Sequence, residues 1–182
     1  MKIPVFFSYP KPFSKSQQIF VDGLRSYLDS RNIEAVTLGE SDYDMTEPLT
    51  SIRRLINTSC GMITVAFRRA QIITGFSNPN SDVGRETKDL SGKWITSPYC
   101  QIEPAMAYQI GLPILLLRES GVIAEGIFGR GSMGVYLPEF DLSNDPTNFF
   151  TTEEFKQLIF KWESYVRAVD GNRGKPPVLY KI

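Results

Sequence analysis

The sequence predicts an α/β fold: a parallel sheet of five strands covered by helices on both faces. Three observations carry this. Short apolar runs alternate along the chain with stretches whose apolar residues recur at helical spacing. The runs are continuously apolar, as strands buried on both faces are, rather than alternating apolar and polar. Polar breaks rich in Gly, Pro and Asn separate the two kinds of segment.

Taken in order, "IPVFFS" (3–8) reads as a buried strand ended by "YPKP". A helix follows, with Ser14 or Ser16 as N-cap and Ile19, Phe20, Leu24, Tyr27 and Leu28 on one face. "EAVTL" (34–38) is a second strand, and the polar loop "GESDYDMTEP" leads out of it. Pro48 suits the first turn of a helix whose inner face is Leu49, Ile52, Leu55 and Ile56. "GMITVAF" (61–67) and "LPILLL" (112–117) are the third and fourth strands, "GVYLP" (134–138) the fifth, and "TTEEFKQLIFKWESYVRAV" (151–169) a closing helix with acids in its first turn. The result is a flavodoxin-like, doubly wound domain over residues 1–170. The tail, 171–182, reads as either a packed extension or a loose end.

One segment breaks the rhythm. Residues 68–97 form a connection longer than compact domains ordinarily use without a purpose. They fall where a doubly wound sheet keeps its ligand crevice, beyond the carboxyl ends of the strands at the point where strand order reverses. The loop Ser8–Phe13 shares that rim.

Composition narrows the chemistry. The chain has 182 residues, 42% hydrophobic and 22% charged, with 20 basic and 20 acidic side chains and a formal net charge of zero. Nucleic acid and anionic membranes select a basic excess, so neither is an expected partner. No apolar run approaches the roughly 20 residues of a membrane helix, and "MKIPVFFSYPKPF" lacks the pattern of a signal peptide, so a cytoplasmic location is expected. The two cysteines, Cys60 and Cys100, suggest neither a disulfide framework nor zinc, and there is no histidine. Ser-His-Asp and Cys-His catalysis are excluded, and no metal is expected. Acid–base work falls to carboxylates, tyrosine, lysine or cysteine.

Several features are weighed on that basis. "GRGSMG" (129–134) matches G-x-G-x-x-G but comes late and precedes a strand-like run, the reverse of the dinucleotide context, so a glycine-rich turn is the better reading. Cys100 has no histidine to activate it and reads as a small buried hydrophobe. Arg53-Arg54 reads as a solvated helix face, whereas Arg68-Arg69 follows a strand end on the crevice side, where the pair could meet a phosphate. Phe7, Tyr9, Trp94 and Tyr99 are aromatics near the same rim.

"SPYCQIEPAMAYQIGLPILLL" (97–117) holds the sharpest residue, Glu103. With Ser97 as N-cap and Pro98 at N1, Glu103 lies inside a helix, with Tyr99, Met106, Ala107 and Ile110 at helical spacing from it. Pro104 removes an amide donor, which leaves the Cys100 carbonyl unpartnered and favours a local opening. Alternatively Glu103 is itself an N-cap, with Pro104 at N1. An acid on an apolar stripe is costly to bury unless paired or used, so both a capping glutamate and a working one stand.

These segments resemble the Toll/interleukin-1 receptor (TIR) domain family. "VFFSYPKPF" is similar to its opening strand-and-loop box, "PLTSIRRLINTSCGMITVAF" to its second helix and third strand, and "SPYCQIEPAMAYQIGLPILLL" to its Ser-x-Trp/Tyr-Cys-x-x-Glu motif followed by a Gly-x-Pro-Ile strand. The match covers about the first 120 residues in order. Departures are the proline ahead of Lys11, Tyr99 where Trp is commoner, Pro104, and the long insertion. The resemblance implies cleavage of NAD+ at the nicotinamide–ribose bond with Glu103 as catalytic residue, NAD+ being substrate and no cofactor being needed. It implies release of ADP-ribose or a cyclic ADP-ribose isomer as an antiphage immune signal read by a separate effector. It also implies a homo-oligomer through TIR–TIR contacts, in which one chain's second-strand loop completes its neighbour's pocket. Phe7, Ser8, Tyr9, Lys11, Arg68, Trp94 and Tyr99 are then the expected substrate contacts.

The chemistry is compatible with a chain that lacks histidine. A pyridinium departs neutral and needs no general acid, so one carboxylate beside the oxocarbenium-like ribose supplies what is required. Two rivals remain. A nucleoside 2-deoxyribosyltransferase-like N-glycosidase shares a similar sheet and glutamate, but its opening loop normally reads like "YLAGP". A non-catalytic TIR adaptor would ordinarily lack the glutamate.

Overall fold

A computed structural model of the chain describes residues 2–38, 48–129 and 137–180. Its centre is a five-stranded, wholly parallel sheet. The strands are β1 (Ile3–Ser8), β2 (Ile33–Val36), β3 (Met62–Ala66), β8 (Ile114–Glu119) and β9 (Glu139–Phe140), in the order β2-β1-β3-β8-β9. That is the expected doubly wound α/β order, with the chain reversing direction across the sheet between β1 and β3. The fifth strand is displaced from expectation. It forms at Glu139–Phe140, where Arg118 and Glu119 offer partners, while residues 134–136 of the expected run lie outside the described residues. The "GRGSMG" run beyond Gly129 and the loop after β2 also lie outside them.

Four helices cover the sheet: α1 (Lys15–Ser30), α2 (Pro48–Thr58), α3 (Tyr99–Gln109) and α4 (Glu153–Gly171). Ser14 is the N-cap of α1, its hydroxyl accepting from the Gln17 N–H, and Thr152 caps α4 in the same way through the Phe155 N–H. Phe20 of α1 packs with Phe67, Phe140, Phe149 and Phe150, and Tyr27 lies edge-on to Phe155 of α4. This aromatic layer joins α1 to α4, while α2 packs against α3. Gly61, at the entry to β3, is required by close approach: a Cβ there would lie 2.6 Å from Val166 Cγ2 and 3.3 Å from the Pro113 carbonyl oxygen. Beyond α4, Tyr180 returns to the body, its hydroxyl donating to the Leu112 carbonyl at 3.3 Å and its ring 4.5 Å from that of Tyr108.

The long insertion is an arm rather than a loop. β4 (Ala70–Gln71) pairs antiparallel with β7 (Trp94–Ile95), and β5 (Phe76–Ser77) with β6 (Lys88–Asp89). Both ladders keep one register, and Ile72 N–H to Lys93 O (2.9 Å) and Leu90 N–H to Gly75 O (2.8 Å) link them. Residues 69–95 are therefore a single extended hairpin. Its root is tied to the body by Trp94, whose N–H donates to Gly121 O and whose carbonyl accepts from Ile123 N–H.

Candidate active site

α3 sets the position of the acid. Cys100, Glu103, Pro104 and Ala107 are buried and recur at i, i+3, i+4 and i+7, so they form the inward stripe of the helix. Tyr99 and Ile110, expected on the same face, flank that stripe and are exposed. The helix runs without interruption through Pro104, and Glu103 lies inside it, which removes the N-cap alternative. At its start, Ser97 Oγ accepts from the Tyr99 N–H at 3.3 Å and Pro98 is already helical, which matches the expected cap within the usual one-residue ambiguity.

Glu103 is 7% exposed and faces a cavity of about 420 Å³ at the carboxyl end of β1. Ser8, the last residue of β1 and itself buried, donates its hydroxyl to Glu103 Oε2. No cation pairs with Glu103 among the described residues. Burial therefore dominates and raises its carboxyl to a pKa of about 7, with the Ser8 hydrogen bond pulling the other way. Cys100 is different in kind. Burial raises its thiol to about 12, and its Sγ lies 3.8 Å from the Val65 carbonyl, so it packs as a small apolar group.

Phe7, Ser8, Tyr9, Lys11, Tyr99 and Glu103 all line this cavity, so most of the expected contacts do converge. Arg68 and Trp94 do not line it. Arg68 turns away, its Nε donating to Ser120 O at 2.6 Å and lying 3.7 Å from Glu119, with its guanidinium over the Trp94 ring at 5.8 Å. Its neighbour Arg69 lines the cavity instead, because successive side chains on an extended segment point to opposite sides. Thr37, Leu38, Ile52 and Ser97 complete the wall and were not anticipated. The signal for Thr37 was its place just beyond β2, at the same carboxyl edge as Ser8.

Arg25 braces this edge from α1. It donates to Ala35 O (2.9 Å), Thr37 Oγ1 (2.8 Å) and the Tyr9 hydroxyl (3.0 Å), and its guanidinium carbon lies 5.4 Å from the Phe7 ring centroid. The arrangement is an acid at the floor, aromatic walls, and two cations, Lys11 and Arg69, at the lip. It can hold negative charge against a developing cation in a site of low dielectric, where that interaction is strongest. No cluster of metal-ligating residues occurs among the described residues, and no helix among them is long and apolar enough to cross a membrane.

The sequence matches no family model and no curated protein. Among solved structures it is similar to the Clostridium botulinum CMP N-glycosidase BcmB. That match has 15% identity and a TM-score of 0.47, and covers 87% of this chain and 98% of that one. A likeness at this level decides nothing about substrate.

Proposed function

We propose that this chain is an N-glycosidase that cleaves the bond between ribose C1′ and the ring nitrogen of a nucleotide, with Glu103 as the catalytic carboxylate. One observation carries the reading. An acid sits buried on an apolar helix stripe, facing a cavity, with a serine hydroxyl as its partner and no cation paired with it among the described residues, where a structural glutamate would have been paired. The preferred substrate is NAD+. Among the described residues that line the cavity Glu103 is the one carboxylate, so a leaving group that needs no proton suits the site best. In that reaction the C1′–N bond breaks heterolytically, the electron pair goes to the nicotinamide nitrogen, and the ring departs neutral. Ionised Glu103 faces the positive charge left on the ribose. Water then adds at C1′ and loses a proton to give ADP-ribose; an internal nucleophile in place of water gives a cyclic isomer. The resemblance to TIR domains supports this choice, and with it activity that depends on assembly and a product read by a separate effector.

A second reading is an N-glycosidase acting on a neutral base, as in the deoxyribosyltransferase type. The raised pKa of Glu103 favours it, since a carboxyl partly protonated near neutral pH has a proton for the leaving nitrogen. Mass spectrometry of products after concentrated protein is incubated separately with NAD+, CMP and a deoxynucleoside separates the two. Nicotinamide release, lost in Glu103→Gln, is the expected result. Undiminished turnover by that variant overturns the assignment of Glu103, and silence on all three substrates favours an adaptor.

A further inference from the structure

Phe13 lies two residues beyond the lip residue Lys11, close enough that their Cα atoms are within about 7 Å, yet its ring is 61% exposed. The backbone that carries the ring is tied to the body. The Phe13 N–H donates to Gln17 Oε1 at 3.1 Å, and Gln17, 1% exposed, donates from Nε2 to both Arg68 O and Glu119 Oε2 at 3.0 Å. Behind the ring stands Trp94, with centroids 6.3 Å apart and planes within 17°. Trp94 is backed in turn by the Arg68 guanidinium, itself fixed by Ser120 O and Glu119. Three planar groups thus stack in series, and the outermost ring, Phe13, is largely exposed two residues from the cavity-lining Lys11.

The spacing says where a ligand ring would go. A ring inserted between Phe13 and Trp94 would need about 7 Å, two contacts of about 3.5 Å each. The observed 6.3 Å falls short, so the free surface is the outer face of Phe13. Lys11 and Arg69, which line the cavity with Glu103, are cations suited to phosphate oxygens, and Phe13 follows Lys11 by two residues. A buried carboxylate and two cations line the cavity, and an exposed aromatic ring follows one of those cations by two residues, a set that suits a ribose, a linking pyrophosphate and a second base.

We propose that Phe13, backed by Trp94 and Arg68, is a stacking platform for the distal base of a dinucleotide substrate. This rests on the N-glycosidase reading and adds to its preferred dinucleotide substrate a residue that recognises the second base. Stacking of a base on an aromatic ring is ordinarily worth about a tenfold change in affinity or more on removal of the ring.

Binding tests this apart from turnover. AMP, ADP-ribose and ribose 5-phosphate are titrated into Glu103→Gln protein while tryptophan fluorescence is followed. Trp162, the second tryptophan, is buried, so the response reports Trp94 and is absent in Trp94→Phe. The expected result is quenching by AMP and ADP-ribose, with affinity for both about tenfold weaker in Phe13→Ala and Phe13→Leu and restored in Phe13→Tyr, while the affinity for ribose 5-phosphate, read by isothermal titration calorimetry, is the same in every variant. Equal affinity for AMP in all the Phe13 variants overturns the platform, as does ADP-ribose binding no tighter than ribose 5-phosphate. Stacking without any base release would instead sink the reaction and leave the platform standing.

Discussion

Ser8 and Glu103 lie 95 positions apart in the chain, and the fold brings the serine hydroxyl onto the Glu103 carboxylate at the end of β1. One residue closes a strand and the other sits on the inward stripe of a helix. Their contact orients the acid and opposes the upward shift that burial imposes on its pKa.

The pH dependence of the reaction follows. Burial raises Glu103 to about 7, and the form needed against a cationic sugar is the ionised one. For NAD+, kcat/KM is expected to rise with pH through about 7 and then level off. If Glu103 instead gave its proton to a neutral base, the rate would fall over the same range, so one pH–rate profile separates the two readings.

Ser8→Ala removes the hydrogen bond that holds the Glu103 pKa down. The midpoint of the profile should move to higher pH, with lower activity at pH 7 that recovers in alkaline buffer. A uniform loss at every pH would mean that Ser8 serves only packing.

Glu103→Gln should lower activity by about a hundredfold or more, as removal of a preorganised electrostatic group does. It should also stabilise the protein selectively. The folded pKa is raised above the unfolded value of 4.5, so ionising Glu103 in the fold weakens stability as pH climbs from 4.5 to about 7, with the full effect above that. The cost is on the order of 3 kcal/mol. The variant should therefore melt several degrees higher than wild type at pH 8 and no higher at pH 4, as measured by circular dichroism.

Gln17→Leu leaves the Phe13 N–H, the Arg68 carbonyl and the buried Glu119 each short of a partner. A loss of about 2–3 kcal/mol is expected from denaturant unfolding. A near-neutral result would show that the loop after β1 is held by other contacts.

Gly61→Ala would place a methyl group 2.6 Å from Val166 and 3.3 Å from a backbone oxygen. Overpacking of this kind typically costs 1–3 kcal/mol, about the same loss in unfolding free energy that should be measured here.

Strand and helix identity was legible along the chain because apolar period is local: "IPVFFS" and "MITVA" announce buried strands, and the stripe of α1 announces a helix. The place of Glu103 within a capped, largely apolar helix was legible for the same reason. Convergence was another matter. Arg68 and Arg69 are indistinguishable in sequence, and only the alternation of the extended segment, anchored by Gln17 and Glu119, turns one into the rim and the other into the cavity. Residues 68–97 read only as a long connection because pairing between positions some 25 residues apart leaves no periodic trace in one strand's composition. The described fifth strand, Glu139–Phe140, lies where Arg118 and Glu119 offer an edge, which no local apolar run announces. Side-chain period is a property of neighbours along the chain. Which side chains meet is a property of crossover and register, which exist only once distant segments pair.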